Sequence, residues 1–361
     1  MFRGNTPIFP ANSELFTRQE TFAMKYIILG AGQAGCTAAK TLRENSPESE
    51  ILLFDRDTAG LYAKMRLPEF VAGLLPEAKL ILSDEKAFRA MNIEPHFGVK
   101  VTAVRPDQHR IETEDGRNFS YDKLIFATGA DAFVPPVKGL DRVESFTLRT
   151  LADARRIAAK AECANASALV IGGGLLGLEA AWALRQRGFA VTVSEFMNRL
   201  LPRQLNEAQS AVLLEKLGSL DLKIKLGVSL ESVEPCGKGQ VTAHFSDGSS
   251  AGCSLLLFSA GIRPQVSLAA AAGLDIGRAI KINHQLQTSD PDIFAAGDCA
   301  ELDGITPGLW LAARDQGTAL GKILTGKQDR FDLPVYTPIL KIGGIQLKEI
   351  CREAAQNENV R

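Results

Sequence analysis

An apolar run ending in glycines at fixed spacing occurs twice in this chain, as YIILGAGQAG at 26–35 and ALVIGGGLLG at 168–177. Each opens a helical pattern and is followed by a second apolar run, EILLFD at 50–55 and AVTVSE at 190–195. Parallel strands need a crossover connection, and a helix supplies it by packing on the sheet face. The two copies stand 142 residues apart (172 minus 30), too far for a solenoid repeat. The fold class expected is therefore α/β, with two Rossmann-like three-layer domains. A chain of 361 residues also exceeds what a single core organises. The halves echo each other further on: Asp115-Gly116 and Asp247-Gly248 turn between alternating strands, and each half closes on a buried strand, KLIFATG or SLLLFSAG.

The first turn has the residue types that a dinucleotide requires. Gly30 permits the tight exit from the strand, Gly32 lets the backbone approach a pyrophosphate, and Gly35 lets the helix pack closely. Phosphates then lie at the helix N-terminus, where free N–H groups and the dipole favour negative charge. Asp55, 25 residues after Gly30 (55 minus 30), stands where a carboxylate accepts from ribose hydroxyls. In the second copy Gly172, Gly174 and Gly177 take the glycine roles and Glu195 the acid's. A carboxylate there accepts from a free 2′-hydroxyl and repels a 2′-phosphate, so NADH is expected over NADPH, with Arg199 the nearby cation that could tolerate the phosphate. Glu179 falls in the first turns of the second helix, where a negative charge suits the dipole; capping and functional readings both stand. At DIFAAGDCA, 292–300, a strand runs into Gly297 and Asp298, either a ligand acceptor or a helix N-cap.

Composition excludes several alternatives. Against 42 acidic residues stand 41 basic ones, a net charge of −1 that fits no dedicated nucleic-acid binder. No apolar run approaches the roughly 20 residues of a membrane span. Six scattered cysteines without a CxxC suit reduced thiols in a cytoplasm. Cys36 and Cys299 read as small buried fillers. His96, His109, His244 and His284 form no metal-spaced group, so no metal is expected. Residues 1–23 lack periodicity and the apolar stretch of a signal peptide, and are expected to be a tail.

Taken in order, GAGQAG with Asp55, ATG at 127–129, GGGLLGLE with Glu195, and TSDPDIFAAGDC at 288–299 resemble the two-dinucleotide-binding-domain flavoproteins of the pyridine-nucleotide oxidoreductase superfamily, over residues 24–330. The resemblance implies an FAD-binding domain at 24–139 and 263–330. Its contacts would be Gly30, Gly32, Ala34, Gly35, Asp55, Arg56, Lys64, Val101, Ala127, Thr128, Gly129, Gly297 and Asp298. It implies an inserted NAD(P)H-binding domain at 140–262, with Gly172, Gly174, Leu175, Leu176, Gly177, Glu179, Glu195, Arg203 and Gly261. Residues 331–361 would be a short remnant of a C-terminal interface domain. The stretch GLYAKMRLPEF at 60–70 has no redox cysteine. It is similar to the Y-x-R-x-x-L segment of rubredoxin reductases, ferredoxin reductases and the flavin part of nitrite reductases, with Tyr62 and Leu67 matching and Lys64 in the arginine's place. NRLLPRQLN at 198–206 resembles the same subgroup. The implied activity is hydride transfer from NADH to FAD, with Glu179 and Lys64 as the candidate catalytic side chains. Electrons would pass on to a rubredoxin- or ferredoxin-like protein, with oxygen as acceptor, or a non-catalytic flavoprotein subunit, as alternatives. Neither a nucleic acid nor a membrane partner is implied, and a homodimer is left open. Purified protein is accordingly expected to be yellow; a colourless preparation that takes up no added FAD overturns the first assignment.

Overall fold

The computed structural model describes residues 23–160, 166–237, 239–337 and 339–358. All but the last residue of the expected tail lies outside these, as does Cys163. The first unit begins with β1 (Lys25–Leu29), α1 (Gln33–Asn45) and β2 (Glu50–Asp55). It continues through the short helix α2 (Leu67–Val71), β3 (Glu94–Phe97) and β4 (Lys123–Phe126). The second unit holds β5 (Ser145–Thr147), α3 (Leu151–Lys160), β6 (Ser167–Ile171), α4 (Leu175–Gln186) and β7 (Ala190–Glu195). After α5 (Glu207–Gly218) come β8 (Leu222–Leu226) and β9 (Leu255–Phe258). The chain then returns to the first unit with β10 (Ile293–Ala295) and α6 (Trp310–Leu324), and ends in α7 (Leu347–Glu358).

Two five-stranded sheets result, ordered β10-β4-β1-β2-β3 and β5-β9-β6-β7-β8, and every pairing in both is parallel. In each, the strand carrying the glycine turn is central, flanked by the strand ending in the acid and the strand ending in ATG or SAG. The apolar runs explain this placement. Tyr26, Ile27, Ile28 and Leu29 are all buried, as are Ala168, Leu169, Val170 and Ile171, because both faces of a parallel sheet are covered. Each sheet carries a three-stranded antiparallel sheet as a satellite, Val101–Ser120 in one case and Leu230–Cys253 in the other.

Small residues bring α1 and α6 together. A Cβ built on Gly317 of α6 would lie 2.3 Å from the carbonyl oxygen of Ala34, and one on Gly321 would lie 2.6 Å from Thr41 Cβ. The units meet chiefly through α2: Leu67, Val71, Ala72 and Leu75 pack into one buried cluster with Leu151 and Ala154 of α3 and Leu178 and Ala181 of α4. Each of the leucine and valine side chains, once fully buried, contributes about 1.5–3 kcal/mol. Gly317→Val should force α6 off α1 and destabilise the protein by about 2 kcal/mol. The check is a lowered denaturant midpoint at unchanged slope.

Candidate functional site

The two glycine turns are built alike to within a few tenths of an ångström. Gly30 has φ +114° and Gly172 φ +118°, and a Cβ on either would strike a backbone carbonyl of the neighbouring strand end: Ala127 at 2.2 Å, Ser259 at 2.3 Å. A Cβ on Gly35 or Gly177 would lie 2.0 Å from the carbonyl of Gly30 or Gly172. The middle glycines differ from these. Nothing stands within 4 Å of a Cβ on Gly32 or Gly174, so both helix N-termini open onto free space.

The acids also match. Asp55 accepts from the N–H of Ala31 at 2.6 Å and of Asp57 at 2.8 Å, one on each oxygen. Glu195 accepts from Gly173 at 2.6 Å and Met197 at 2.8 Å in the same pattern. Each carboxylate therefore ties its own loop, and keeps further lone pairs for ribose hydroxyls. Burial raises the Asp55 pKa, against the opposing pull of its two backbone donors and Lys64.

Lys64, Asp55, Asp298 and Arg149 meet at the edge of the first turn. Lys64 keeps solvent-exposed surface beside these charges. Desolvation lowers its pKa, and Arg149 lowers it further, while Asp55, Asp298 and Asp57 oppose them. Arg149 donates to Asp298 at 2.5 Å and to the carbonyl of Ala130 at 3.0 Å, so the second unit reaches the end of β10. The Thr128 hydroxyl donates to the carbonyl of Gln265 at 3.0 Å, and the Gly129 carbonyl accepts from the Gln265 N–H at 2.9 Å. The Gly297 N–H donates to Gln316 Oε1 at 2.6 Å. Ala34 is buried beneath the first turn, and Val101 opens a satellite strand. Arg56 is exposed and paired with Asp131 at 2.9 Å.

Helix α4 separates two clefts. Leu176, half exposed, and Ala180 face one that Arg149, Gly261 and Ile262 also line. Leu175 is half-buried at the helix start, and Arg203 is exposed in the turn before α5. Glu179 and Trp182 face the other cleft, a cavity of about 230 Å³ shared with Met65, Pro68 and Glu69 beside α2 and with Lys341. Glu179 is buried and accepts from the Lys341 N–H at 3.0 Å. Desolvation raises its pKa. Neither Glu179 nor Lys64 is among the other's charge or hydrogen-bond partners.

These residues fit two dinucleotides. The open space at Gly32 adjoins buried polar atoms without partners among the described residues, Oε1 of Gln33 within the turn and Nε2 of Gln316 behind Gly297. At the second turn the space at Gly174 is likewise open. Cys36 and Cys299 are fully buried and donate to backbone carbonyls, and burial pushes both thiols up, which suits filling and not redox exchange.

The profile of the family described as pyridine nucleotide-disulphide oxidoreductase matches residues 24–317. The chain belongs to that family. As a pyridine nucleotide-disulphide oxidoreductase it is an NAD(P)H-dependent flavin enzyme with FAD and NAD(H) as cofactors. It is 33% identical over 340 residues to an NADH oxidase of Methanocaldococcus jannaschii, across 90% of this chain and 75% of that one. It is 32% identical over 316 residues to a rubredoxin-NAD(+) reductase of Alcanivorax borkumensis, across 87% and 82%. To the nitrite reductase large subunit of Klebsiella oxytoca it is 36% identical over 287 residues, 78% of this chain but only 30% of the relative. Among solved structures it matches a covalent putidaredoxin reductase–putidaredoxin complex with TM-score 0.81 and 30% identity, over 86% of this chain and 77% of that one. No helix among the described residues is long and apolar enough to cross a membrane.

Two residues of the site escape sequence reasoning. Arg149 stands in no motif, and its contact with Asp298 exists only once the units are docked. Gln316 has one visible signal, a polar residue among the small and apolar residues that the helix buries, Ala312, Gly317, Ala319, Leu320 and Gly321.

Glu179 also gives a pH test. Its folded pKa lies above the ordinary carboxylate value of 4.5, so the native state holds its proton more tightly than the unfolded chain. Its contribution is thus fully present below 4.5 and falls as pH rises through the raised value. Glu179→Gln should gain stability relative to wild type over that rise, measured as the difference between their unfolding free energies from pH 4 to 8. A difference that stays flat contradicts the buried carboxyl.

Proposed function

We propose that FAD occupies the first turn and NADH the second, and that the protein passes electrons onward to a small iron-containing redox protein of the rubredoxin or ferredoxin type. The observation that carries this reading is the pair of equivalent turns, each on its own parallel sheet, with Arg149 and Asp298 joining them beside Lys64. Bound FAD supplies a centre that takes two electrons from the nicotinamide and releases them singly. The chain's own residues hold and orient. The N-termini of α1 and α4 take the pyrophosphates, and Asp55 and Glu195 accept from ribose hydroxyls. Asp298 keeps one carboxylate oxygen that Arg149 does not use, which suits a ribityl hydroxyl. Lys64 and Arg149 place positive charge at the cleft, where it stabilises negative charge that builds on reduction. Ala127, Thr128 and Gly129 contribute backbone at the strand end next to Gly30.

No cysteine stands in residues 60–70, so a disulfide relay through that stretch has no thiol to use. A protein acceptor is supported by the rubredoxin reductase relative and the putidaredoxin complex; oxygen, favoured by the NADH oxidase relative, is the second reading.

Anaerobic NADH should bleach the flavin within the mixing time of a stopped-flow instrument. Reoxidation by rubredoxin or ferredoxin at micromolar concentration should outpace reoxidation by air-saturated buffer at least tenfold. No bleaching in protein that holds FAD rejects the assignment, and faster oxidation by oxygen selects the oxidase reading. Glu195→Ser should narrow the preference for NADH over NADPH at least tenfold, read as the ratio of kcat/KM values, which corresponds to about 1.4 kcal/mol of lost discrimination.

A further inference from the structure

The C-terminal segment beyond α6 starts on the first unit and finishes on the second. Phe331 is buried in the first unit's core, and its N–H donates to the carbonyl of His284 at 2.7 Å. The Tyr336 hydroxyl then reaches Asp315 of α6 at 3.0 Å. Val335 and Ile339, on either side of that contact, are 99% and 69% exposed. On the far side Leu340, Ile342 and Ile350 are buried in the same cluster as Leu213 and Leu217 of α5. Gly343, at φ +49°, passes so close that a Cβ there would stand 2.8 Å from Leu220 and 3.6 Å from Trp182. Lys216 of α5 pairs with Glu353 of α7 at 2.9 Å.

One bond in this docking reaches the nucleotide-binding helix. The N–H of Lys341 donates to Glu179 Oε1, two residues past the last glycine of the second turn. Glu179 is buried, and that N–H is the sole hydrogen-bond donor to its carboxylate among the described residues. Surface packing alone does not need a buried carboxylate at this point, since α5, Leu220 and Trp182 already supply the apolar floor. We infer that the segment described at 339–358 is a strap that latches helix α4 through Glu179, and that strap docking and nucleotide binding at the second turn are thermodynamically coupled. This rests on the assignment of NADH to that turn. Lys341 is then a positioning residue, acting through its backbone N–H: it fixes the direction of the Glu179 carboxylate and hence the first two turns of the helix that receives the pyrophosphate. Coupling of this kind is reciprocal, so whatever factor the docked strap adds to nucleotide affinity, the nucleotide adds to strap docking.

The test is hydrogen–deuterium exchange on the full-length, FAD-loaded protein, with NAD+ as a non-reducing probe. Without nucleotide, Glu179→Ala should speed exchange at the Lys341 amide at least tenfold, whereas Glu179→Gln, which keeps an acceptor oxygen, should stay within twofold of wild type. Equal exchange in Glu179→Ala and Glu179→Gln overturns the latch. For the coupling, Ile342→Asp undocks the strap away from the nucleotide, and Gly343→Val does so more gently should the first variant fail to fold. NAD+ should bind either variant at least fivefold more weakly, and saturating NAD+ should slow exchange across 340–345 in wild type by the same factor. Undocked strap with NAD+ affinity within twofold of wild type overturns the coupling. Wild-type protein that binds no NAD+ would instead sink the proposed function, and the nucleotide-free arm would still decide the latch.

Discussion

The contact between a glycine and the carbonyl at the end of the next strand governs this architecture. At Gly30 and Gly172 there is no room for one carbon atom more, because Ala127 O and Ser259 O already occupy the place. That closeness lets each helix start directly above its sheet with its N–H groups aimed outward. The rest is arranged around it: the acid two strand-lengths on, the parallel order on either side, and the open space before the middle glycine. A protein that brings two nucleotides together can use one such solution twice, provided that the two sheets then dock at a fixed angle. Here α2 provides the apolar foot for that docking, and Tyr62 assists by bonding its hydroxyl to the Leu151 N–H at 3.2 Å.

Much of this could be read from the chain. The glycine spacing, the acids and the repeated strand endings are local patterns, and local backbone requirements dictate them directly. What stayed hidden was whatever depends on distant parts coming together. Arg149 looks like any arginine ahead of a helix until β10 brings Asp298 to it. Glu179 could be placed on its helix from sequence, but its direction could not, because Lys341 lies 162 residues away. The final thirty residues read as a remnant because their apolar positions, Leu340, Ile342 and Ile350, are too few to reveal a partner surface.

The cysteines show how a family's name can mislead about a member. Fully buried thiols at Cys36 and Cys299 fill space next to the two halves of the first site, and neither is poised to ionise. The cleft instead relies on fixed charges, two cations facing two carboxylates. Under the proposed function such charges would position and polarise a bound flavin without any bond in the protein being made or broken.

Glu195 holds its own loop closed, since both of its oxygens accept from backbone N–H groups, and in the proposed assignment the same acid faces the ribose. In that assignment coenzyme preference and loop shape are inherited as one character. A lineage that shed this acid alone would relax the preference, but Gly173 and Met197 would lose their acceptors in the same step. A full reversal of coenzyme would therefore ask the replacing residue, or a neighbour changed with it, to restore the loop as well as to receive a phosphate.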